Sequence, residues 1–144
     1  MALRALLDVN VLLALCDAGH MAHDRCQVWW RDNETLGSAT CPITQHGFLR
    51  IISQSSYVGS VPLAQALQAL SLWTASVSHE FWPDDLTILD PTLFDHTRLL
   101  GHKQITDVYL LALAVKHGGR FVTLDRRVTL SAVRGAGAEH LVVV

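Results

Sequence analysis

Three aspartates lie directly at the ends of short apolar segments. Asp8 follows the apolar run 4–7, Asp125 follows the run 120–124, and Asp107 opens the apolar segment 108–115. Clustered carboxylates repel one another unless they are protonated or neutralised by a cation. Oxygen ligands of this kind suit Mg²⁺ or Mn²⁺. Each aspartate could instead be a helix cap or turn residue, and only their proximity would make them a metal site.

The elements that would position these aspartates alternate along the chain. Short apolar runs at 4–7, 36–41, 86–89, 120–124 and 140–144 predict strands. Helical spacing lies between them, so we expect an α/β fold with a mainly parallel sheet covered on both faces. In such sheets ligands bind at the carboxyl ends of the strands. Asp8 and Asp125 therefore fall on one rim, and a helix that begins at Thr106-Asp107 would start at the same rim.

The remaining helices are predicted from caps and apolar spacing. We expect helices at 11–15, 23–31, 44–53 and 93–100, and a central, buried one from Thr106 to the glycine pair 118–119. Pro62 suits the first turn of a further helix. Its apolar stripe is Leu63, Leu67, Leu70, Thr74 and Val77.

Composition limits the class of protein. The chain has 144 residues, of which 50% are apolar and 17% charged, and its net charge is −2. These values predict one domain over 1–144 with a substantial core, and they show no basic field. The N-terminal segment 1–8 is interrupted by Arg4 and is too short for a signal peptide or a membrane span, so we expect a first strand there. Three cysteines are too few for a disulfide framework and favour a reducing, cytoplasmic setting.

Three segments together resemble the PIN-domain ribonucleases, specifically the VapC-type toxins of toxin–antitoxin pairs. They are 6–14 (LLDVNVLLA), 105–112 (ITDVYLLA) and 121–126 (FVTLDR). His23 with Trp29-Trp30, and the segment 43–50, are also similar to one branch of these toxins. The resemblance spans nearly the whole chain, and the order and spacing of the motifs make it specific.

The resemblance implies a three-layer α/β/α PIN-like domain and Mg²⁺-dependent (or Mn²⁺-dependent) hydrolysis of RNA phosphodiester bonds. Asp8 and Asp107 would hold the ion, and Asp125 would help to bind a second ion or orient water. Asn10 and Thr123 would support them as neutral neighbours. The family's usual partners would be a cognate antitoxin and a second copy of the chain in a homodimer.

One position departs from the family pattern, which usually has a second acid on the helix after the second strand. No Asp or Glu occurs from Thr35 to His79, and Gln45 is the candidate for the substituted position. Its carbonyl oxygen can accept or ligate but carries no charge. The missing acid keeps open a second hypothesis, in which the chain is a weak or inactive PIN-fold module that binds RNA or a protein.

Basic side chains near two of the motifs are candidates for binding the RNA backbone: Lys103, Arg126 and Arg127. They could equally be solvated surface charges. Four tryptophans are more aromatic surface than one small core needs, so we expect some of it at a dimer or antitoxin interface. Those tryptophans are Trp29, Trp30, Trp73 and Trp82.

Two other sites are conceivable from the sequence. A zinc site could form from Cys16, His20, His23 and Cys26, although the segment is compact and partly helical. A haloacid-dehalogenase-like phosphatase also begins with an aspartate after a strand, but it would need a second aspartate where Asn10 stands.

Overall fold

A five-stranded sheet in which every neighbouring pair is parallel forms the centre of the computed structural model, which describes residues 3–144. The strands are β1 (Ala5–Leu7), β2 (Ser38–Thr40), β3 (His79–Phe81), β4 (Arg120–Thr123) and β5 (Leu141–Val143), in the order β3-β2-β1-β4-β5. The predicted N-terminal segment 1–8 contains β1, while Met1 and Ala2 lie outside the described residues. The α/β class is confirmed.

Helices cover both faces of this sheet. They are α1 (Val9–Cys16), α2 (His23–Asn33), α3 (Pro42–Ile52), α4 (Leu63–Thr74) and α5 (Ile105–Lys116). Because side chains alternate along a strand, Leu6 and Phe121 pack with α5 on one face. Leu7 and Val122 pack with α1 to α4 on the other. The predicted three-layer arrangement is therefore confirmed.

Helix α5 is buried along nearly its whole length, as its apolar sequence predicts. Every residue from Val108 to Ala114 is buried. The helix ends before Gly118, whose φ of +66° favours glycine. The following Gly119 lies tightly against β1 and Trp82, since a Cβ added there would lie 2.7 Å from the Arg4 carbonyl oxygen. These contacts lead the chain directly from α5 into β4.

Two predicted elements are wrong. The third strand is His79–Phe81 and not 86–89. Strand β3 is an edge strand that pairs only with β2, so its side chains are largely exposed and form no apolar run. Leu86 and Ile88 are apolar because they pack on the core from an irregular segment. The predicted helix 93–100 is only the 3₁₀ turn His96–Arg98.

The apolar stripe of α4 is only partly buried. Ala66 and Leu70 face the core, whereas Leu63 and Leu67 are 53% and 46% exposed. Of the tryptophans, Trp82 is buried, and Trp29, Trp30 and Trp73 are half-buried in one aromatic group. Within residues 3–144, no helix is both long and apolar enough to cross a membrane.

Candidate active site

Asp8 lies at the junction of β1 and α1, at the carboxyl edge of the sheet. Its extended backbone makes it the N-cap of α1, and its Oδ1 accepts a hydrogen bond from the Val9 amide at 2.7 Å. The side chain is buried, and burial raises the pKa of the carboxyl group, while hydrogen bonds from Thr123 and Val9 lower it. The cap role and the site role thus coincide in one residue.

The hydroxyl of Thr123 joins the two halves of the site. This residue ends β4, beside β1, and is fully buried. Its Oγ1 donates to Asp8 Oδ2 at 2.6 Å and accepts from the Asp125 amide at 3.1 Å. Asn10 reaches across from α1: its Oδ1 accepts from the Leu124 amide at 3.2 Å, and its Nδ2 is 3.4 Å from Thr123 Oγ1. The structure thus brings Asn10 and Thr123 to the aspartates.

Asp107 approaches from the other face of the sheet, in the first turn of α5. Burial, together with the negative charges of Asp8 and Asp125, raises the pKa of its carboxyl group to about 6, and Arg127 opposes the shift. This mutual effect places the three aspartates in one electrostatic group. The predicted convergence at the carboxyl rim is what the topology produces.

The Asp125 carboxylate is hydrogen-bonded to Arg127, two residues further along the chain. Its Oδ1 accepts from the Arg127 amide at 2.8 Å and from the guanidinium Nε at 3.2 Å. These hydrogen bonds lower the pKa of Asp125. The Arg127 side chain is 82% exposed, so the pair is open to solvent on its outer side. Such a pair is held weakly.

A cleft of about 260 Å³ opens between α5 and the segment after β4. It is lined by Lys103, Gln104, Asp107, Val108, Asp125, Arg127, Val128 and Thr129. Lys103 is exposed, and so is Arg126, which lies between the lining residues Asp125 and Arg127 in sequence. Sequence reasoning missed Gln104 and Thr129. The position of Gln104, three residues before Asp107 at the entrance to a helix, was the available signal.

Gln45 is directed away from the lining of this cleft. Its Nε2 donates to Thr40 Oγ1 at 3.0 Å, and the same hydroxyl lies 2.8 Å from His79 Nε2 of β3. Gly47 of α3 lies close against Val9 of α1. A Cβ added to Gly47 would lie 2.6 Å from Val9 Cγ2. Helix α3 therefore contacts β2 through the Gln45 amide and Val9 through the backbone of Gly47, and neither contact involves a carboxylate.

The donor chemistry of the aspartate group fits a hard divalent cation. The three carboxylates supply oxygen ligands only, and a cation would offset the burial and the like charges that raise the pKa of Asp107. As they stand, no three acidic, histidine or cysteine side chains within residues 3–144 form a group that could hold an ion. Asp8 and Asp125 are both engaged in hydrogen bonds, to Thr123 and Arg127 respectively.

The four side chains considered for zinc are not gathered round one point. Cys26 lies on the buried face of α2, and Cys16 is exposed. His23 Nδ1 lies 2.7 Å from the Ala14 carbonyl oxygen, and His20 Nδ1 accepts from the Ala22 amide. These are structural roles in the turn between α1 and α2.

The sequence and the fold match one family of α/β proteins. The PIN domain family model matches residues 5–135. Ribonuclease VapC44 of Mycobacterium tuberculosis (strain H37Rv) is 50% identical over 139 residues, which are 96% of this chain and 98% of VapC44. Ribonuclease VapC39 of the same strain is 41% identical over 133 residues, 91% of this chain and 95% of VapC39. The chain therefore belongs to the PIN domain family, and within it to the VapC proteins.

A solved structure supports the same fold. The crystal structure of Mycobacterium tuberculosis VapC20, a toxin that cleaves the sarcin–ricin loop, matches with a TM-score of 0.59. The match covers 81% of this chain and 85% of that chain at 14% identity. At that identity the likeness concerns the fold alone. The family resemblance predicted from the motifs is confirmed.

Proposed function

We propose that the chain is a Mg²⁺-dependent endoribonuclease and the toxin of a type II toxin–antitoxin pair. The observation that carries the proposal is the electrostatic group of Asp8, Asp107 and Asp125, of which Asp107 and Asp125 line a cleft together with Lys103 and Arg127. The names of the relatives, VapC44 and VapC39 ribonucleases, support RNA as the substrate. Mn²⁺ would be an alternative ion.

Each carboxylate has a role that its surroundings favour. Asp8 and Asp107 would hold the ion, with Asp125 contributing once its side chain leaves Arg127. The ion supplies positive charge that stabilises a phosphate in the transition state and favours deprotonation of an attacking water. Thr123 fixes the orientation of the Asp8 carboxylate through its short hydrogen bond, and Asn10 fixes the end of β4. The protein's part is thus to hold oxygen ligands rigidly at the edge of the sheet.

Basic side chains at the mouth of the cleft would bind the RNA backbone. Lys103 lies before α5, and Arg126 and Arg127 follow β4, so the cations lie on both sides of the carboxylates. Three positive charges near three negative ones explain how a chain of net charge −2 can accept a polyanion locally. Binding by these residues is expected to weaken as salt concentration rises.

The test is cleavage of a fluorescently labelled single-stranded RNA pool by the purified chain. We expect cleavage with Mg²⁺ or Mn²⁺, none with EDTA, and loss of cleavage in Asp8→Asn, which keeps the size and the acceptor oxygen of the side chain. Asp24→Asn is the matched control, because Asp24 lies in the first turn of α2 and is exposed. Equal activity in wild type and Asp8→Asn, or no activity in either with both ions supplied, would sink the nuclease proposal.

The second candidate is a PIN-fold module that binds RNA or a protein without cleaving it. One observation favours it: α3 contains no acid, and its Gln45 amide is hydrogen-bonded to Thr40. In that case the wild type would retard RNA on a native gel but leave it intact with either ion.

We also propose a cognate antitoxin and a second copy of the chain as protein partners. Exposed leucines of α4 support an interface there, with Leu72 71% exposed beside Leu63 and Leu67. Trp30 and Trp73 line a neighbouring groove between α2 and α4. Light scattering at micromolar concentration tests the homodimer, and a monomer at every concentration would count against it.

A further inference from the structure

The cleft has two walls that the chain builds separately. The first wall carries Lys103 and Asp107, immediately before α5 and in its first turn. The second wall runs from Asp125 to Thr129, after β4. Asp107 and Asp125 are like charges on opposite walls of the cleft. Their separation depends on the contacts that join the two walls.

One hydrogen bond spans the cleft. Gln104 Nε2 donates to Thr129 Oγ1 at 2.8 Å. In the part of the chain that the structure describes, it is the hydrogen bond that joins 99–108 to 125–130. The oxygen of the same amide accepts from the Leu100 amide at 2.7 Å and the Gly101 amide at 3.1 Å. One side chain thus ties the loop before α5, the start of α5 and the second wall together.

The two walls differ in how firmly they are held. Thr129 precedes a 3₁₀ turn, Leu130–Ala132, whose last residue is fully buried, and Val128 packs against the core. On the first wall, the segment before α5 is exposed at Leu100 and Lys103, whereas α5 itself is buried from Val108 onward. The hydrogen bond to Thr129 therefore ties the exposed segment that leads into α5 to the second wall.

We propose that Gln104 and Thr129 act as a positioning pair that sets the separation of Asp107 and Asp125, and so the fit of the cleft to a divalent ion and an RNA phosphate. The inference rests on the proposed function for its RNA substrate. Both residues line the cleft, and in this proposal they act by positioning the carboxylates. Small errors in such placement reduce catalysis strongly, because the reacting groups must be held within a fraction of an ångström.

The test is a double-mutant cycle with Gln104→Ala, Thr129→Val and both together. Mn²⁺ affinity is measured by titration calorimetry on the full chain, and kcat and KM on the RNA pool. We expect each single variant to lose about tenfold in kcat with little change in KM, and several-fold in Mn²⁺ affinity. The double variant should lose no more than either single one, because both remove the same bond.

Two further variants separate positioning from general stability. Thr129→Ser keeps the hydroxyl and should have the Mn²⁺ affinity and kcat of the wild type, unlike Thr129→Val. Gln54→Ala, at an exposed position just after α3, is the matched control and should change neither. Urea midpoints are recorded for all variants, so that a loss caused by unfolding is recognised.

The outcomes are distinguishable from those of the proposed function. Additive losses in the double variant, losses that follow the urea midpoints, or unchanged Mn²⁺ affinity in both single variants would overturn the positioning pair. Coupled losses of Mn²⁺ affinity in a chain that cleaves no RNA would leave the pair standing and refute the ribonuclease. A wild type that binds no Mn²⁺ would overturn both.

Discussion

Replacing Asp107 by asparagine should stabilise the metal-free protein at neutral pH. In the folded chain, burial and the charges of Asp8 and Asp125 raise the pKa of Asp107 from 3.8 to about 6. The folded state therefore holds this proton more tightly than the unfolded state. The stability that the protonated carboxyl group contributes is complete below about pH 4 and is lost as the pH rises through about 6. Asparagine has no charge to lose.

The size of the effect follows from the same shift. The difference between 3.8 and about 6 corresponds to at most about 3 kcal/mol. Asp107 is half-buried at the edge of a cleft, so solvent screening reduces the expected gain to about 1–2 kcal/mol. A negative charge in the first turn of α5 also stabilises the helix by about 0.3–1 kcal/mol, which the variant gives up. We expect a net gain of about 1 kcal/mol at pH 7.5.

The assay is urea unfolding in EDTA at several pH values from 4 to 7.5. The informative quantity is the stability of Asp107→Asn minus that of the wild type, because other carboxyl groups titrate in both proteins. This difference should rise with pH and level off above about 6. Asp24→Asn, the same change in the first turn of α2, should give a flat difference near zero or slightly negative. A flat or falling difference for Asp107→Asn would refute the reasoning.

Three more predictions concern Mg²⁺ binding, the hydrogen bond of Asn10 and the turn before β4. Mg²⁺ at a hundredfold excess over its Kd should stabilise the wild type by about 2.7 kcal/mol in urea unfolding, and a midpoint unmoved by Mg²⁺ contradicts this. Asn10→Ala should lower the free energy of unfolding by about 1–2 kcal/mol, because the Leu124 amide loses its acceptor. Circular dichroism during urea titration measures this loss, and an unchanged midpoint would contradict it. Gly119→Ala should cost about 1–3 kcal/mol in thermal melts, since its Cβ would lie 2.6 Å from Trp82 Cη2. Gly101→Ala, with nothing within 4 Å, is the control, and equal melting temperatures would show that the turn can relax.

The aspartate rim was predictable because local and global signals coincide there. An apolar run that stops at an aspartate marks the carboxyl end of a buried strand, as at Asp8 and Asp125. In a parallel sheet all such ends meet at one edge. Asp107 was placed by the same logic, since the helix that precedes a parallel strand starts at that edge. Sequence patterning is sufficient where the site follows from strand direction alone.

Other features depend on contacts that no local pattern encodes. Strand β3 is a three-residue edge strand defined by its pairing with β2, and its sequence resembles a loop. The direction of Gln45 depends on the rotation of α3 about its axis, which turns that side chain to Thr40 and Gly47 to Val9. The bond from Gln104 to Thr129 joins residues 25 apart, and only the path of two loops brings them together.

The order of strands has a consequence for the synthesis of the protein. Strand β1 is made early but pairs with β4, and the bond from Thr123 to Asp8 spans 115 positions of the chain. Until β4 has been made, β1 lacks its neighbour on that side of the sheet. Asp8 then has neither the hydrogen bond from Thr123 nor Asp125 beside it. Contacts of such long range form late in folding. Any activity that needs both Asp8 and Asp125 can therefore begin only after the segment that contains Asp125 has been made and has joined β1.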